Sequence, residues 1–269
     1  MLDHLTGRLA KVDMPSVLFI PDRFMDYRMW GEVPDLIRDR TSVVHLDQCM
    51  HIPWPAPDEG FLDAVRGLAP REGFDVVAAA GQAARFGFAV ASAGLGTGLM
   101  LFYPAPDRHL DEVNAAAPDP DPAEYTDPFL PLVNALEEED AGRRRDILMQ
   151  VVRDTADPGA DPVELDRVLA MTSDHAEEIF ASLAAASQSA DSQGEQDNPP
   201  WLVRPWLDQL PGLAVPVMAV VAPQVSALGG VIARRAADAE IVIAKPRLTP
   251  VADPAASVAA LLRMLSRVH

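Results

Sequence analysis

The chain has 269 residues, a formal net charge of −18 and one cysteine, Cys49. That length can bury a core without disulfides or structural metals, and a lone cysteine excludes both an internal disulfide and a cysteine-cluster zinc site. The acidic balance argues against nucleic acid and anionic membranes, and the N-terminus carries charges and no long apolar run, so a soluble, cytoplasmic protein is the expectation.

Pro15-Ser-Val-Leu-Phe-Ile20 is a short apolar run between turn residues and predicts a buried strand. From Met29 to Arg38 the spacing is helical, with Trp30, Val33, Leu36 and Ile37 on one face. Thr41 to Leu46 predicts the next strand, Asp47 to Pro57 a proline-rich loop, and Asp58 to Leu68 a short helix. Phe74 to Ala80 reads as a strand running through a tight turn into a helix, Ala83 to Ala93, and Gly98 to Tyr103 as another strand. Strands alternating with helices, several of them wholly apolar, imply a mostly parallel sheet with helices on both faces, an α/β fold.

The alternation stops from about Ala105 to Gln188, where Tyr125 to Glu138, Ala141 to Asp154 and Asp174 to Ala186 read as helices. Asp161-Pro162-Val163-Glu164 is a helix start, with Asp as N-cap and Pro at the first helical position. Gln188 to Pro200 is polar and predicts a flexible connection. Strand and helix signals then resume with Val215 to Val221, a helix near Gly229 to Ala237, the strand Glu240 to Ala244, and a last helix opened by Asp253-Pro254. Val258, Leu261, Leu262 and Leu265 form the core stripe of that helix. The expected organisation is a core of residues 1–104 and 201–269 with an inserted all-helical cap, 105–200, whose polar connection is 188–200.

Several stretches resemble the capped branch of the α/β-hydrolase superfamily. Leu18-Phe-Ile-Pro-Asp-Arg-Phe-Met-Asp-Tyr-Arg-Met-Trp30 is similar to its apolar strand, His-Gly turn and following tryptophan, and Val43 to His51 to its next strand and loop, with Asp47 and His51 kept. Val215 to Val221 matches the strand before the usual acid, and Asp253-Pro254 the family's ending. The departures fall on the chemistry. In the strand–turn–helix where G-x-S-x-G presents a serine, this chain reads Gly81-Gln82-Ala83-Ala84-Arg85, which puts Ala83 at the nucleophile position. The acid and histidine slots fall near Val225 and Arg247, so the Ser-His-Asp triad reads as lost at all three positions.

The His-Gly turn reads Pro21-Asp22. The resemblance assigns the two oxyanion-hole N–H groups to Arg23 and Ala84, and these need no particular side chain. Asp22 is either a turn residue paired with Arg23 or Arg85, the reading the residues favour, or a proton relay. His51 is a candidate base whose counterpart in the family is mostly structural. Cys49 reads as buried and inert rather than as a nucleophile. Gln82, Ala83, Ala84, Arg85, Trp54 and Tyr125 are the candidate pocket residues, Ala83 as part of its floor. His175 with Glu177 and Glu178 reads as a solvated helix face rather than a metal site.

The sequence therefore leads to a non-hydrolytic enzyme of cyclase, isomerase or lyase type, acting on a small, mostly apolar molecule in the core–cap cleft. Bacterial specialised metabolism would suit it. The alternative is a catalytically dead ligand-binding or partner protein, and ordinary ester hydrolysis ranks last. No cofactor, metal, nucleic-acid or membrane partner is expected, and the chain is expected to be a monomer or homodimer.

Overall fold

The computed structural model describes residues 14–22, 25–46, 57–70, 73–105, 130–156, 161–190, 205–223, 226–244 and 253–269. Among them the strands are β1 (Ser16–Ile20), β2 (Ser42–His45), β3 (Val76–Ala80), β4 (Leu99–Phe102), β5 (Val217–Val221) and β6 (Ala239–Ile243). They form one sheet in the order β2-β1-β3-β4-β5-β6, with every pairing parallel. Fully apolar strands suit this arrangement, because crossover helices cover both faces and each residue of a central strand is buried whichever way it points. All five residues of β1, β3 and β5 are buried.

Alternate residues feed two apolar layers. Leu18, Ile20, Val77, Ala79, Leu99 and Leu101 pack into one. It is covered by α2 (Glu59–Leu68), α3 (Ala84–Ser92), α8 (Trp206–Gln209) and α9 (Ser226–Arg235). Val17, Phe19, Val76, Ala78, Met100 and Phe102 pack into the other, against Trp30, α1 (Val33–Ile37) and α10 (Pro254–Val268). Trp30 is fully buried, with its ring edge-on to Phe19 and Phe102 at centroid distances of 4.7 and 5.3 Å. α10 turns Leu261, Met264 and Leu265 inward, and Val258 and Leu262 pack partly buried beside them.

Between β4 and β5 the described residues are helical: α4 (Leu130–Asn134), α5 (Ala141–Thr155), α6 (Pro162–Asp174) and α7 (Ala176–Ala190). Asp140 and Asp161 cap α5 and α6 by accepting backbone N–H groups of the first turn. Leu132, Leu148, Val151, Ile179 and Phe180 make a small core of their own. Val152, Val168 and Met171 instead join the sheet layer that holds Trp30, so the helical insertion is packed on the core rather than hung from it.

Three sequence expectations change. The segment from Met29 to Arg38 is not one helix. A 3-10 turn, Tyr27–Trp30, ends at Gly31, whose positive φ of 51° breaks the helical phase before α1 begins. The reset leaves Leu36 55% exposed while Val33 and Ile37 stay buried. Gln188 to Ala190, assigned by sequence to the polar connection, continue α7. Residues 191–200, and the loop 47–56 with Cys49, lie outside the described residues.

Candidate functional site

In an open parallel sheet, ligands bind beyond the carboxyl ends of the strands, where the connections part to opposite sides. Here the chain leaves β1 toward β2 on one side, and β3 begins the run toward β6 on the other. The switch point therefore lies between the carboxyl ends of β1 and β3. β1 runs into Pro21-Asp22, and β3 runs into Gly81-Gln82-Ala83, a 3-10 turn leading straight into α3.

The residue of that turn with positive φ is Gly81, at 51°. Such a conformation is costly for any residue with a Cβ. Ala83, placed at the apex by the sequence frame, has φ −74° and ψ −1°, within the ordinary right-handed region. It is 2% exposed and belongs to the apolar layer with Ala79 and Ala84. The apex thus sits two residues earlier than the sequence comparison put it. A sequence signal for the correct frame existed: Ala79 and Ala83 flank Gly81 at two residues on either side, the small side chains a tight strand-to-helix turn requires. Ala84 also changes role. Its N–H donates to the carbonyl of Gly81 inside the turn, so it is not an outward-facing donor. The amide following the apex is that of Gln82.

That amide has a partner. The N–H of Gln82 donates to Asp22 Oδ1 at 2.7 Å. A Cβ built on Gly81 would fall on the same carboxylate. Asp22 therefore fills the space where a side chain at Gly81 would begin, and engages the N–H of the following residue. The turn leads into the N-terminus of α3, and the positive end of that helix's dipole suits an anion nearby. The carboxylate is held from its own side as well. Asp22 N–H points at Met29 Sδ (2.9 Å), and the Asp22 carbonyl accepts from Met25 N–H (3.1 Å). On the other side, Ala105 N–H donates to the Gly81 carbonyl at 2.9 Å, and Tyr103 before it has a positive φ of 48°. Of these two positive-φ residues, Tyr103 is the one that carries strain, since it has a Cβ and Gly81 does not.

Of the other sequence-predicted positions, Gln82 is half-buried at the turn. The Arg85 guanidinium lies over the Phe86 ring, 5.1 Å from its centroid. Arg23, His51, Trp54, Tyr125, Val225 and Arg247 lie outside the described residues.

Sequence reasoning missed a cluster where the insertion meets the core. Asp26 accepts from Arg28 Nε (2.8 Å) and lies 3.0 Å from His175 Nε2, while its side chain is only 6% exposed. His175 Nδ1 lies 2.8 Å from Glu178, and Arg28 also pairs with Asp174 at 2.7 Å. His175 is thus not part of a solvated face. No local pattern betrays this cluster, since Asp26 and His175 are 149 residues apart. Next to it a cleft of about 440 Å³ is lined by Arg28, Gly31, Glu32, Arg167, Ala170, Met171 and Pro254. Among the described residues no group of histidine, cysteine or carboxylate side chains could hold a metal, and no helix is long and apolar enough to cross a membrane.

No family model matches the chain, and no curated protein does. Solved structures do. MenH from S. aureus superposes with a TM-score of 0.65 at 11% identity, covering 96% of each chain. An enol-lactonase from Burkholderia xenovorans gives 0.63 at 15%, covering 94% of this chain and 92% of its own. An esterase from Rhodococcus gives 0.62 at 13%, covering 95% and 92%. At such identities the likeness is one of fold.

Proposed function

We propose that this chain, which has the α/β-hydrolase fold, works without a nucleophilic serine and uses Asp22 as its proton-transfer group. The reaction would be of isomerase, cyclase or lyase type on a small, mostly apolar molecule. The observation that carries this reading is the Asp22 carboxylate at the elbow, bonded to the Gln82 N–H over a residue with no side chain. A carboxylate at that turn suits such work, because it can take a proton from one position of a bound molecule and return it at another. An acyl-transfer mechanism fits poorly, because an ionised carboxylate in this position repels a developing oxyanion.

The same bond favours a second reading. Since the Gln82 N–H is already engaged, the site also suits a protein that binds its small molecule without turning it over.

A fluorophosphonate probe and an activated ester test the non-hydrolytic half of the proposal. Neither labelling of a serine nor burst kinetics is expected; stoichiometric labelling would overturn it. Native mass spectrometry of protein from its source, looking for a retained small molecule, tests the rest. A retained molecule that exchanges hydrogen with deuterated water only on the protein supports proton transfer. One that is retained without exchange supports binding alone.

A further inference from the structure

His175 stands at the corner between α6 and α7, and both its ring nitrogens face carboxylates. Nε2 lies 3.0 Å from Asp26 on the core, and Nδ1 lies 2.8 Å from Glu178 on the insertion. A neutral imidazole has one N–H and one lone pair, and only the imidazolium donates from both nitrogens. Two carboxylate partners are therefore satisfied together only by the charged ring. In the neutral form, one contact sets a lone pair against a carboxylate.

The core end of this contact is not an isolated surface group. Asp26 caps the 3-10 turn that carries Met29 by accepting the Arg28 N–H. That turn in turn meets Asp22 through Met29 Sδ, which faces its N–H, while Met25, just before the cap, donates its N–H to the Asp22 carbonyl. The contacts thus run from His175 on the insertion to Asp26 on the core loop, and within that loop through Met29 to the backbone of Asp22.

We propose that His175 and Asp26 form a proton-operated latch, which holds the helical insertion against the loop that positions Asp22 when the ring is charged and loosens when it is neutral. His175 is a positioning residue in this scheme, acting on Asp22 through Asp26. The charged groups around the ring are Asp26 and Arg28 from the core loop, Asp174 from α6 and Glu178 from α7, with Arg145 of α5 bonded to the neighbouring Ser173 carbonyl. With the ring charged, Asp26 and Glu178 each face a cation across His175; with it neutral, both contacts lose that charge, while Arg28 keeps its pairs with Asp26 and Asp174.

Burial works against the charge on His175, but its hydrogen bonds to Glu178 and Asp26 outweigh burial and raise its pKa. A raised pKa in the closed state means that the latch contributes fully below the ordinary value of about 6.5, and that its contribution is lost as pH rises through the raised value. Burial likewise pushes Asp26 up, yet the Arg28 and His175 hydrogen bonds outweigh it and lower its pKa. Asp26 therefore stays ionised across this window, and only the ring switches.

The regulatory consequence rests on the reading of Asp22 as the working group. The test does not, because it measures opening rather than turnover. The ring of His175 is titrated by NMR in the intact chain. Hydrogen exchange of peptides spanning Ala176 to Phe180, corrected for intrinsic rates, is then compared between about pH 5.5 and about pH 9. Protection is expected to fall about tenfold for each unit by which the His175 pKa exceeds its ordinary value. His175→Gln should flatten the pH dependence, and Glu178→Gln, which alters an exposed group, should lower the His175 pKa and shrink the fall in step. A His175 that titrates at or below the ordinary value overturns the proposal, and so does a His175→Gln variant that keeps the wild-type pH dependence.

Discussion

Gly81→Ser is expected to destabilise the chain by about 2–4 kcal/mol, the largest effect of any single substitution at the elbow. About 1–2 kcal/mol comes from forcing a residue with a Cβ into the left-handed region. The remainder comes from collision: the new side chain begins where the Asp22 carboxylate lies, so the carboxylate must leave the Gln82 N–H. Asp22→Ala alone should cost about 1.5–3 kcal/mol, the worth of a hydrogen bond to a charged group. Combined, the two should cost less than their sum by about 1 kcal/mol or more, because removing Asp22 also removes the collision. Denaturant unfolding of the four proteins measures this. Strict additivity would show that the two residues do not share one space.

Asp22→Asn is expected to abolish most turnover while leaving ligand binding nearly intact. The amide keeps the carboxylate's shape, and its oxygen can still accept the Gln82 N–H, so the elbow keeps its geometry. What it loses is the ability to take up a proton. A fall in kcat of about 10²–10⁴ with little change in affinity is the signature of a lost general acid–base group. If the binding-only reading holds instead, Asp22→Asn retains ligand as wild type does and there is no turnover to lose. A variant with unchanged turnover would remove Asp22 from the chemistry altogether.

The central strands were readable in the sequence because β1, β3, β4 and β5 are short, mostly apolar runs, as burial on both faces of a parallel sheet requires. Asp22 stands out in the sequence as a carboxylate two residues past β1, but its contact with the Gln82 N–H, in place of a pairing with Arg23 or Arg85, has no local signal. Three other features were not readable. The elbow frame slipped by two residues because Gly81 was matched to the first glycine of G-x-S-x-G, when its positive φ makes it the apex itself. Leu36 was assigned inward because the pattern gave no sign that Gly31 resets the helical phase. The Asp26–His175 contact joins distant parts of the chain, and an exposed-looking His-x-x-Glu carries no hint of a partner on another element.

The central claim is that the Asp22 carboxylate occupies the elbow, and the backbone amide of Gln82 reports on it directly. In an NMR titration, an N–H that donates to a carboxylate shifts as that carboxylate is protonated. The Gln82 amide is therefore expected to follow a single acid transition, and to lose that transition in Asp22→Asn while the amides of β3 stay in place. A Gln82 amide that shows no transition, or shows the same one in Asp22→Asn, would mean that the carboxylate lies elsewhere and that the elbow is open.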